Sequence, residues 1–105
     1  MKKIYLFCTA GMSTSMMASK MQDVANKHNL PIEVKAFSDK IIGQIIESEH
    51  PDVILLGPQV KYLYDSVNEK YGHLGIPIDI IDTQDYGMMN GERVLKKALT
   101  FLRKK

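Results

Sequence analysis

The only cysteine in the chain, Cys8, opens the run Cys-Thr-Ala-Gly-Met-Ser-Thr-Ser that ends at Ser15. Ile4, Tyr5, Leu6 and Phe7 before it suit a buried strand, and helical spacing begins at Thr14, so the run joins a strand tip to a helix start. Backbone N–H groups at a helix start lack intrahelical partners and, together with the helix dipole, favour an anion. Gly11 permits a tight path, and Ser13, Thr14 and Ser15 add hydroxyl donors. The same field stabilises a thiolate over a thiol. These residues therefore predict that Cys8 is a nucleophile held in a phosphate cradle. The bland alternative for a free cysteine is a small buried core residue, and the strand-tip position and hydroxyl-rich loop argue against it.

What stands around the cysteine narrows the chemistry. A thiol phosphatase with a Cys-(x)5-Arg loop clamps phosphate with an arginine six residues after its cysteine, and here that position is Thr14. A cradle of N–H and O–H groups alone can hold a phosphocysteine, but it supplies no fixed positive charge to speed attack by water. That favours a phosphoryl carrier over a hydrolase. His28, His50 and His73 fall at the sheet edge opposite Cys8, so neither histidine-assisted catalysis nor a metal site with Cys8 is expected. The groups that can reach the Cys8 edge are Ser38, Asp39, Gln59, Asp82, Thr83, Asp85 and Tyr86. Ser38 and Asp39 suit helix capping, and a general-acid role for Asp82 or Asp85 belongs only to the phosphatase reading. Met12, Met16, Met88 and Met89 flank the loop and offer pliable apolar surface for docking, whereas Met17 and Met21 fit the core.

These groups must be carried by a frame, and the pattern supplies one. Residues 3–8 read as a strand and 14–28 as a helix whose Met17, Met21, Val24, Ala25 and His28 share a stripe. Residues 32–37 alternate as a half-exposed strand, followed by a helix capped by Ser38, carrying Ile41, Ile42, Ile45 and Ile46, and closed at His50-Pro51. Val53 to Leu56 form a second fully apolar strand, and Gly57-Pro58 opens a third helix lined by Val60, Leu63, Val67 and Tyr71. After a loop at 72–75, a strand at 76–81 carries Pro77 and Asp79, both suited to a sheet edge. A loop over 82–89 precedes a last helix capped by Asn90, with Val94, Leu95, Ala98, Phe101 and Leu102 inward. Strict alternation predicts an α/β fold: an open four-stranded parallel sheet with right-handed crossovers and helices on both faces. The apolar strands belong in the centre, which gives the order 2-1-3-4 and puts the tip of strand one at the switch point where such sheets bind ligands.

Composition bounds the rest. A chain of 105 residues predicts a single domain. A net charge of +2, with basic residues spread along the chain, does not favour nucleic acid, and the basic run Arg103, Lys104 and Lys105 suits a solvated helix end. One cysteine allows no internal disulfide, so a reducing compartment, the cytoplasm, is expected. Thr9, Gly11 and Ser13 interrupt the apolar start, which argues against a secretion signal, and no stretch reaches the roughly 20 apolar residues of a membrane span.

Taken in order, the strand ending in Leu6-Phe7-Cys8, the loop Ala10-Gly11-Met12-Ser13-Thr14-Ser15, the segment Leu55-Leu56-Gly57-Pro58-Gln59-Val60 and the late Tyr86-Gly87 resemble one family over essentially the full length. It is the IIB component of the lactose/cellobiose family of the bacterial sugar phosphotransferase system, most like the free-standing cellobiose-type proteins. The resemblance implies that Cys8 accepts a phosphoryl group from a phosphohistidine of a IIA component and passes it to a sugar, typically a β-glucoside such as cellobiose, bound by the membrane-embedded IIC component. It implies further that Thr9, Ala10, Gly11, Met12, Ser13, Thr14 and Ser15 hold the phosphoryl oxygens with Gln59 and Tyr86 nearby. No cofactor or metal is implied, and the membrane is reached only through IIC. Two rivals remain: a low-molecular-weight phosphatase or arsenate-reductase relative, opposed by Thr14 and the lone cysteine, and a receiver-like binding module in which Cys8 is inert.

Overall fold

The computed structural model describes residues 1–9 and 12–103. Strands β1 (Lys2–Cys8), β2 (Ile32–Ser38), β3 (Val53–Leu56) and β4 (Ile78–Ile80) form one parallel sheet in the order β2-β1-β3-β4. Helices α1 (Met12–Lys27), α2 (Ile42–Glu49), α3 (Tyr64–Tyr71), α4 (Thr83–Gly87) and α5 (Gly91–Arg103) follow the strands. The expected order holds because Ile4 to Phe7 and Val53 to Leu56 have no polar face to offer water, so only central positions bury both their sides.

Alternation along β1 sends side chains into two layers. Ile4 and Leu6 pack with Met17 and Met21 of α1 and Leu95 and Ala98 of α5, while Tyr5 and Phe7 pack with Ile42 and Ile46 of α2 and Val67 of α3. The α1–α5 contact is close: a Cβ on Gly91 would lie 2.9 Å from Lys20 Cβ and 3.0 Å from the Met21 nitrogen. Tyr5 also carries a polar group into the core, where its hydroxyl donates to Glu33 Oε2 at 2.7 Å and lies 3.4 Å from Glu49 Oε1. Burial, reinforced by these two carboxylates, pushes the Tyr5 phenol upward, and the hydrogen bond from Tyr5 holds the Glu33 carboxyl below its ordinary range.

Several elements depart from the sequence pattern. The stretch 82–89, expected as a loop, contains α4, because Asp82 accepts the Asp85 N–H at 3.3 Å and caps a single turn. The helix expected from Gly57-Pro58 begins as a 3-10 segment, Pro58–Leu63, with non-helical backbone at the fully buried Val60, and α3 starts only at Tyr64. Ser38 caps a short 3-10 turn ahead of α2, accepting the Lys40 N–H at 3.2 Å. The fourth strand is shortened to three residues. In the helix stripes His28 is exposed, whereas Met17, Met21 and Ala25 are buried as expected.

Two outcomes follow for stability. Gly91→Ala lowers the urea midpoint by an amount equivalent to about 1–3 kcal/mol, since the added methyl meets backbone atoms that cannot swing aside. Tyr5→Phe costs about 1–2 kcal/mol near neutral pH. Because the folded state holds the Glu33 carboxyl low, that contribution is present above the ordinary carboxylate range and is lost as pH falls through the folded value. Urea titrations of both proteins at neutral and acidic pH should therefore converge at the acidic end.

Candidate functional site

β1 carries Cys8 to the C-terminal edge of the sheet, where Ser38 of β2 stands beside it in register. On the other side the Gly57 N–H donates to the Phe7 carbonyl at 2.8 Å and draws the exit of β3 against the tip of β1. Glycine suits this approach: a Cβ there would sit 3.0 Å from Cys8 Cβ and 2.8 Å from Gln59 Oε1. Gln59 is thus brought to the same glycine as Cys8, though most of its side chain faces solvent.

The sulfur is enclosed, with Cys8 only 4% exposed and packed into the layer of Phe7, Leu56 and Val60. Its polar neighbours come from three elements. The thiol donates to the Thr9 carbonyl at 2.8 Å, the Thr14 hydroxyl on the first turn of α1 donates to the sulfur, and the Tyr86 hydroxyl on α4 lies 2.9 Å from Thr14 Oγ1. A hydroxyl has one proton, so with Thr14 donating to sulfur the Tyr86 phenol must donate to Thr14. Both protons point toward the sulfur, the orientation that favours negative charge there. Thr14 is buried to 1% exposure, so these two partners satisfy a hydroxyl that water cannot reach.

The expected site residues divide accordingly. Cys8, Thr9, Thr14 and Tyr86 are brought together, whereas Ser13 and Ser15 are exposed. Ala10 and Gly11 lie outside the described residues, as does the side chain of Met12. The hydroxyl expected at Thr14 as a loop donor is instead the inner link of a buried chain. Asp82 caps α4, and Asp85 pairs with Arg93 Nε at 3.0 Å, so either carboxylate that could serve as general acid in the phosphatase reading already has a structural partner. Met16 and Met88 are 50% and 68% exposed, and Met89 packs on the core. His28, His50 and His73 are exposed beyond the C-terminal ends of α1, α2 and α3, at the far edge of the sheet.

Sheet and site are those of an open α/β domain whose thiol lies at the winding switch point. The sequence model described as "PTS system, Lactose/Cellobiose specific IIB subunit" matches residues 3–97. The chain is 45% identical over 100 residues to the galactose-specific EIIB component of Lactococcus lactis subsp. cremoris, covering 92% of this chain and 93% of the relative. The cellobiose-specific EIIB component of Lactococcus lactis subsp. lactis matches with the same identity and coverage. The solution structure of the cellobiose-specific phosphotransferase IIB component from Borrelia burgdorferi superimposes with a TM-score of 0.80 at 36% identity, covering 99% of this chain and 94% of that one. The chain belongs to the lactose/cellobiose-specific IIB subunits of the sugar phosphotransferase system. Such subunits are phosphotransferases of sugar uptake that work with IIA and IIC components. A hydrolase related to the low-molecular-weight phosphatases is not favoured.

The hydroxyl chain has a measurable energetic signature. Thr14→Val strands the buried Tyr86 phenol and costs about 1–3 kcal/mol in urea unfolding, and adding Tyr86→Phe recovers part of that loss because no donor is then left unpaired.

Proposed function

We propose that Cys8 is the phosphoryl carrier of this IIB subunit, a single domain over residues 1–105. The observation that carries the reading is the Tyr86–Thr14–Cys8 chain, two donors in series aimed at one sulfur at the start of α1. The thiol proton passes to water, and a lone pair of the resulting thiolate attacks the phosphorus of a phosphohistidine on the IIA component. The S–P bond forms as the P–N bond breaks, and the histidine nitrogen keeps the electron pair. In the second transfer a hydroxyl oxygen of the sugar bound by IIC attacks phosphorus, its proton passes to a base, and the S–P bond breaks to restore the thiolate. Thr9, Ala10, Gly11, Met12, Ser13, Thr14 and Ser15 surround the phosphoryl oxygens, and Tyr86 orients Thr14. Gln59 borders the opening.

This chemistry needs positioning and electrostatic stabilisation more than acid or base groups, which suits a site built from strand tips and a helix start. The sugar is a β-glucoside or related disaccharide, in keeping with the cellobiose-specific relative. The exposed Met16 and Met88 offer apolar contact to IIA and IIC. Among the described residues no helix is long and apolar enough to cross a membrane. The domain works in the cytoplasm and meets the membrane through IIC.

Incubation with labelled, phosphorylated IIA should place the label on Cys8, as read by mass spectrometry, and Cys8→Ser should abolish both labelling and sugar uptake in cells. Thr14→Val should slow acceptance about tenfold, equivalent to roughly 1.4 kcal/mol. Label on His28, His50 or His73 would overturn the assignment.

A further inference from the structure

The two edges of the sheet are protected differently. β4 is three residues long and follows Pro77, so it offers little ladder for another strand to join. β2 is seven residues long, and its outer edge is not covered by another strand. The Pro31 carbonyl accepts the Lys2 N–H at 2.9 Å, so odd-numbered residues of this strand turn their backbone groups toward β1 and even-numbered ones turn theirs outward. At the first of these outward positions stands Gln22 of α1. Its Nε2 donates to the Ile32 carbonyl at 2.8 Å, and its Oε1 accepts the Val34 N–H at 2.8 Å.

A parallel strand pairs in this same way: one residue donates to the carbonyl before its opposite number and accepts from the N–H after it. The Gln22 carboxamide therefore does opposite Glu33 what one residue of a fifth strand would do. Beyond it, the Val34 carbonyl and the Ala36 N–H and carbonyl have no partner among the described residues, and they open onto a hollow of about 380 Å³ between α1 and β2. An identical edge on a second molecule presents the same row, and the two rows complement each other about a two-fold axis.

We infer that the Gln22 carboxamide is a plug in the fifth-strand position that keeps β2 from pairing with β2 of a second copy of this chain. Gln22 lies outside the Cys8 site, so the plug is independent of the phosphoryl chemistry. Held against β2 by both its atoms, the plug leaves too short an open run for a stable added strand.

The test combines hydrogen exchange with sedimentation. In dilute wild-type protein the Val34 amide should exchange at least about tenfold more slowly than the Ala36 amide. In Gln22→Ala that difference should vanish on dilution. On concentration Gln22→Ala should self-associate at least about tenfold more tightly than wild type, with the Ala36 amide becoming protected as it does so. Equal exchange at Val34 and Ala36 in the wild type would overturn the inference, even if the variant failed to fold. So would a folded Gln22→Ala that stays as monomeric as wild type, or association that leaves Ala36 unprotected.

Discussion

Burial of the Thr14 hydroxyl constrains everything near the cysteine. A hydroxyl out of reach of water must find protein partners or cost about 1–3 kcal/mol, and here its partners are one sulfur and one phenol. Satisfying it fixes the first turn of α1 over the tip of β1 and sets α4 against both. The turn of α4 makes sense in this light. Five residues are too few for a helix to be stable alone, but they are enough to deliver the Tyr86 hydroxyl once Asp82 has capped the turn.

The frame behind this contact is rigid because β1 is clamped from both faces. Ile4 to Phe7 are inaccessible to solvent, and each neighbouring strand pairs with β1 in register up to its last residues. Cys8 is consequently placed by the best-packed element of the molecule, whereas the exposed Met16 and Met88 stand on α1 and at the end of α4. Phosphoryl transfer depends on positional accuracy of this kind.

Much of this was legible in the sequence, for identifiable reasons. Uninterrupted apolar runs at Ile4 to Phe7 and Val53 to Leu56 can only be central strands of a covered parallel sheet, and the order and the switch point follow from that. The fate of Thr14 was not legible, because a serine- and threonine-rich run reads as exposed donors, and its burial depends on Tyr86, 72 residues away. The α4 turn carries a recognisable start signal in Asp82 and Asp85, but Gly87 cuts the pattern too short for it to read as a helix. The break at Val60 was hidden by a helical apolar spacing that tertiary packing overrode. Gln22 reads as a solvated helix residue, and only its distance from β2 reveals otherwise.

At the far edge of the sheet the chain reverses sharply three times, and each reversal passes through a left-handed residue, Asn29 at φ 55°, His50 at φ 50° and Gly75 at φ 77°. Connections this abrupt have no slack. An inserted or deleted residue there would have to be absorbed by rotating or sliding a packed helix, which both apolar layers resist.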